Sequence, residues 1–139
     1  MTPEQVRLVK TSFAAVVPIA DQAGMLFYDR LFSLDPSLRP LFKGEMSEQR
    51  QALMRMIAAA VNGLDRLETI VPAVRARGVR HAGYGVVDAH YLIVGEALMW
   101  TLQRGLGDGF TPEVAAAWTA AYGVLSGTMQ SAAREATQA

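Results

Sequence analysis

The chain has 139 residues, 51% of them hydrophobic and 19% charged, with thirteen basic residues against thirteen acidic. That length supports one domain, residues 1–139, able to bury about two-thirds of the surface its unfolded chain exposes, and the composition excludes a disordered chain. Balanced charge gives no footprint for nucleic acid or an anionic membrane, and no apolar run suits a transmembrane helix or a leader peptide. The lack of cysteine excludes disulfides and thiolate metal sites and suits a reducing compartment, here expected to be the cytoplasm.

Thr2-Pro3-Glu4-Gln5 predicts a helix start: a capping threonine, proline at the first helical position and a glutamine able to close a capping box. Val6, Val9, Phe13 and Val16 or Val17 then fall on one stripe, and Pro18 marks the end. A second helix is predicted from Ala20 to Leu34, its inner face Gly24, Phe27 or Tyr28, and Leu31. Gly24 costs a helix about 1 kcal/mol against alanine, so it marks either a close crossing or a tolerated surface position. Asp35-Pro36 opens a short helix that Pro40 keeps short, ending at Leu41-Phe42, and Lys43 to Met46 reads as a loop. Ser47 is a candidate cap for a long helix to Asn62, with Gln49, Leu53, Met56 or Ile57, and Ala60 inward. Gln49 heads this apolar stripe, either at the solvated helix end or pointing a polar group into a pocket.

Gly63 breaks that helix, and the next runs from Leu67 to Ala82 with Ile70, Val71, Val74 and His81 at helical spacing. His81 lies in Val79-Arg80-His81-Ala82-Gly83-Tyr84-Gly85, on the inner edge of the helix just before a turn. Neutral imidazole is the usual nitrogen donor to iron, and one histidine suffices as the axial ligand of a haem; a packed or surface histidine is the plain alternative. Asp88 is a candidate cap for a helix from Ala89 to Arg104 burying Leu92, Ile93 or Val94, Leu98 and Leu102, with His90 at its surface start. Gly105, Gly107 and Gly109 make a loop. Thr111-Pro112-Glu113 then starts a final helix to about Glu135, striped with Val114, Trp118, Ala121 or Tyr122, Leu125 and Met129. Nothing alternates as a strand does. The expectation is an all-α domain of seven or eight helices, with Trp100 and Trp118 packing in the core or an interface.

Phe27-Tyr28-Asp29, Leu41-Phe42, Gln49-Arg50-Gln51-Ala52-Leu53, His81, Tyr91-Leu92-Ile93-Val94-Gly95-Glu96, Ala117-Trp118, Ala121-Tyr122-Gly123-Val124-Leu125 and Glu135 follow one another in this order and spacing. As a set they resemble the globin domain of bacterial flavohaemoglobins and their single-domain bacterial relatives, over nearly the whole chain. The resemblance implies a globin fold around a haem pocket holding haem b. It implies His81 as proximal iron ligand, Phe42 as the wedge against the haem, and Tyr28, Gln49 and Leu53 on the distal, gas-binding side. It places Ile57, Val86, Tyr91, Val94 and Leu98 along the haem, with Tyr91 and Glu135 bracketing the proximal histidine.

The implied function is reversible binding and transport of oxygen, with nitric oxide and carbon monoxide as further ligands. The alternative is a nitric oxide dioxygenase. Because the chain ends at Ala139 without flavin and nicotinamide domains, that activity is expected to draw electrons from an external reductase. Two departures stand out: Arg77, one turn before His81, occupies a usually apolar position, and Tyr84 to Tyr91 resembles single-domain globins more than flavohaemoglobins.

Overall fold

The computed structural model describes residues 1–42, 44–83 and 85–138, without the side chains of 137 and 138, so Lys43, Tyr84 and Ala139 lie outside the described part. Six α-helices form, with no strand among the described residues: α1 (Pro3–Val16), α2 (Ala20–Leu34), α3 (Met46–Asn62), α4 (Leu67–Gly83), α5 (Asp88–Leu106) and α6 (Pro112–Gln138). Short 3₁₀ turns at Val17–Ile19, Pro36–Leu41, Leu64–Arg66 and Gly107–Gly109 link them. The expected helix after Asp35 is one of these turns. Two prolines within six residues remove the N–H groups a continuous α-helix needs.

The first helix starts as read: Gln5 N–H donates to Thr2 Oγ1 at 3.1 Å, and Thr2 N–H donates to Gln5 Oε1 at 3.1 Å. Two other caps differ. α3 begins at Met46 behind Glu45, with no side-chain cap, so Met46 leaves the expected loop and Ser47 is already helical. In α5 the capping position is Val87, whose N–H donates to His90 Nδ1 at 3.1 Å, and Asp88 is the first helical residue. Asp88 gains there from the positive helix end, and its carboxylate also takes Arg134 at 3.2 Å.

α1 packs on α6, α2 on α5 and α3, and α5 on α6, while α4 lies almost entirely along α6. The core has two parts. Val9, Phe13, Val16, Leu102, Ala117 and Trp118 belong to the first, where Trp118 Nε1–H donates to the buried Ser12 hydroxyl at 2.8 Å. Phe27, Tyr28, Leu31, Leu38 and Ala97 form the second.

Gly24 serves a close crossing: a Cβ there would lie 3.1 Å from Arg50 Cβ on α3. A tighter crossing went unread in the sequence. At the buried Gly78, a Cβ would lie 2.3 Å from the Met129 carbonyl oxygen and 2.5 Å from Met129 Cα. The backbones of α4 and α6 therefore meet there, one turn before His81. No described helix is long and apolar enough to cross a membrane.

Candidate functional site

α3 is held by α2 and α1, and α4 by α6, so α3 and α4 make at most marginal contact with each other. The apolar side chains that the resemblance assigns to the pocket are half-buried. Phe42, Leu53, Val94 and Leu98 all pack on the second core cluster, which contains Tyr28, without being fully covered by it. Leu53, Ile57 and Leu98 also share a small apolar cavity of about 20 Å³ with Phe13, Phe27 and Trp118. Half-exposed apolar surface costs about 25 cal/mol per Å² left in water, so such side chains favour an apolar occupant.

Tyr28 on α2 is held by a ring cluster. Phe27 stands edge-on to it with centroids 5.1 Å apart, Phe42 likewise at 5.3 Å, and Phe32 stacks at 5.9 Å. Phe32 was not singled out in the sequence, although it lies four residues after Tyr28 and so on the same helical face. The Tyr28 hydroxyl donates to the Gln49 carbonyl at 3.4 Å, which ties α2 to the head of α3. Burial pushes the Tyr28 phenol up to about 12, so it stays protonated and a donor at neutral pH. The Gln49 side chain is half-buried.

His81 lies at the end of α4 and is half-buried. Among the described residues its ring makes no hydrogen bond. Burial, and then the positive charges of Arg77 and Arg80, hold the imidazole below its ordinary value, so it is neutral at pH 7 and keeps a lone pair to donate. Val86 N–H donates to the His81 carbonyl at 3.0 Å, which closes the turn that carries Val86. Gly85 in that turn has φ +93°, a conformation that favours glycine. Arg77 is half-buried and forms no ion pair among the described residues.

The contacts of the remaining candidates, Glu135 and Tyr91, are with other partners. Glu135 is exposed, and its carboxylate pairs with Arg75 across the α4–α6 seam; no described interaction joins it to His81 or Tyr91. The Tyr91 carbonyl accepts from the Tyr122 hydroxyl at 2.6 Å, while Tyr91's own hydroxyl is buried with no partner. Burial, with Asp88 adding to it, raises the Tyr91 phenol.

Comparison with known proteins bears on this arrangement. The globin family model matches residues 26–129, most of the chain. The flavohemoprotein of Bacillus subtilis is 36% identical over 119 residues, covering 81% of this chain and 30% of that protein. The flavohemoprotein of Vibrio cholerae is 33% identical over 133 residues, covering 91% and 33%. The chain thus spans about a third of the length of these relatives. Among solved structures, a bacterial globin from Campylobacter jejuni superposes with a TM-score of 0.87 over 99% of this chain and 100% of that one, at 24% identity.

Proposed function

The chain belongs to the globin family, and from that premise we propose that it is a cytoplasmic haem protein that reversibly binds oxygen and other diatomic gases. The observation that carries this reading is the His81 imidazole, half-buried, neutral and without a hydrogen bond among the described residues. Phe42, Leu53, Val94 and Leu98 add half-buried apolar surface, and the buried Tyr28 adds a protonated phenol. That donor set fits haem b, which needs an apolar slot and a single axial nitrogen. Haem supplies an iron at which a diatomic gas docks and gains partial negative charge.

The protein's own residues do the rest. His81 holds the iron from the proximal side. Phe42, Leu53, Ile57, Val86, Val94 and Leu98 enclose the macrocycle and exclude water. Tyr28 O–H and the Gln49 amide present donors on the gas side, each worth about 0.5–1.5 kcal/mol net and more toward charge. A polarised ligand such as oxygen gains from them, and carbon monoxide gains less. The first test is the absorption spectrum of the purified chain supplied with haem: an intense haem band that shifts on adding oxygen, nitric oxide or carbon monoxide is expected. A chain that takes up no haem sinks the reading.

A second reading, carried by the resemblance to flavohaemoglobins, is conversion of nitric oxide to nitrate. That activity needs electrons at every turnover, and an external reductase would supply them. Binding ranks first because Glu135, the acceptor that would strengthen His81 as a donor, is engaged by Arg75. Steady-state nitric oxide consumption with an unrelated flavin reductase and reduced nicotinamide separates the two. Sustained turnover that Glu135→Ala abolishes reverses the ranking, and one stoichiometric burst upholds it.

A further inference from the structure

Along α5 runs an open groove of about 520 Å³ bordered by Arg30 of α2 and by Thr119 and Tyr122 of α6. Its volume falls within the range of about 300–1,000 Å³ usual for small-molecule sites. The floor is apolar and aromatic: Leu92, Met99, Trp100, Phe110 and Tyr122. Leu92 is 75% exposed, the most exposed large apolar side chain among the described residues.

Two features of the groove are unresolved by the protein itself. Arg30 Nε and the Tyr91 hydroxyl are buried without a hydrogen-bond partner, and no other described side chain has such an atom; both residues line this groove. Buried unpaired donors are uncommon and call for an explanation. In addition, Arg30 and Arg104 lie over the same Trp100 ring, with guanidinium carbons 5.2 and 4.7 Å from its centroid. Neither is ion-paired among the described residues, so two guanidinium groups share one indole ring without a salt-bridge partner.

We propose that this groove is a binding site for a small carboxylate with an apolar or aromatic body. A carboxylate oxygen against the edge of the Arg30 guanidinium supplies the acceptor that Nε lacks, and the planar fork of arginine suits both oxygens at once. Arg104, at the same Trp100 ring, adds positive charge beside the groove. The apolar body then lies along Leu92, Met99 and Phe110, removing the exposed Leu92 from water. Glu96 also lines the groove, and its negative charge directs the ligand's carboxylate toward Arg30 and away from the middle of α5.

The test uses the purified full chain with haem supplied, titrated with phenylacetate and with the neutral phenylacetamide, following the Trp100 indole N–H by NMR. Phenylacetate is expected to bind once per chain and phenylacetamide at least about tenfold more weakly. Arg30→Gln and the more exposed Arg104→Gln should each weaken phenylacetate by about tenfold or more, the factor for losing a hydrogen bond to a charged group. Glu96→Gln should tighten it. Equal binding of acid and amide overturns the proposal, as does unchanged affinity in both arginine variants. So does the absence of any phenylacetate-dependent shift at Trp100, or a shift confined to Leu53 and His81, which would place the ligand in the haem cleft.

Discussion

Replacing Gly78 by alanine puts one methyl group where α4 and α6 touch backbone to backbone. In an isolated helix the change would stabilise by about 0.8–1 kcal/mol, because glycine gives up more backbone freedom on folding. Here the new carbon would stand 2.3 Å from the Met129 carbonyl oxygen and 2.5 Å from Met129 Cα, against about 3.5–4 Å for a comfortable contact. No side chain can swing aside to relieve this, so the helices must part by about 1 Å or more. Overpacking of this kind costs about 1–3 kcal/mol, which outweighs the propensity gain. We expect a net loss of about 1–2 kcal/mol, a fall in Tm of roughly 4–8 °C at this chain length, and weaker haem uptake because His81 rides on the displaced turn. Gly123→Ala on α6 is the control: nothing lies within 4 Å of a Cβ there, so the same substitution should stabilise. Urea denaturation followed by circular dichroism gives both values. If Gly78→Ala stabilises as Gly123→Ala does, the close crossing of α4 and α6 is wrong.

Three further outcomes are expected. His81→Ala should lose haem or change its ferrous spectrum while His90→Ala keeps both; the reverse pattern would move the iron ligand to His90. Tyr28→Phe should speed oxygen release by about tenfold, the factor for 1.4 kcal/mol, with a much smaller change for carbon monoxide; equal acceleration of both gases would indicate altered access to the pocket and no role for the hydroxyl. In the haem-free chain His81 sits below its ordinary value, so as pH falls below about 6.5 the unfolded chain binds that proton first. The stability this neutral histidine contributes is therefore full above about pH 6.5 and lost on acidification toward its lower folded value; a His81→Asn chain whose stability falls just as steeply between about pH 7 and 5 would refute that assignment.

Much of this was legible in the sequence where the signal is local. Thr2 and Gln5 sit three apart, and the capping box they predict forms. α2 follows from its stripe and from the proline that closes it, and Trp118 falls on a stripe that the structure buries. The start of α3 was misjudged by two residues because Ser47 is a good cap by type, but chain entry from the Pro36–Leu41 turn places Glu45 at that position. Nothing in the sequence marked Gly78, since its reason lies 51 positions away in the backbone of Met129. The pairing of Glu135 with Arg75 was hidden in the same way. Helical spacing says which face a residue occupies, and the partner across a seam depends on how two helices are set against each other. Arg30, Trp100 and Arg104 come together from α2 and both ends of one stretch of α5, which no single periodic pattern reports.

The arrangement of α3 and α4 has a further consequence. Each leans on a different neighbour, and at most marginal contact between them sets how far apart they stand. The group that fills the gap then acts as a keystone: it bears on both walls at once and completes the packing that the chain leaves undone. Uptake and consolidation of α4 become one linked equilibrium, in which every decade of excess ligand over its dissociation constant adds about 1.4 kcal/mol to the resistance of the whole domain to unfolding. A substitution far from the gap that loosens the α4–α6 seam, such as one at Arg75 or Glu135, is therefore felt as weaker retention of the keystone, without touching it.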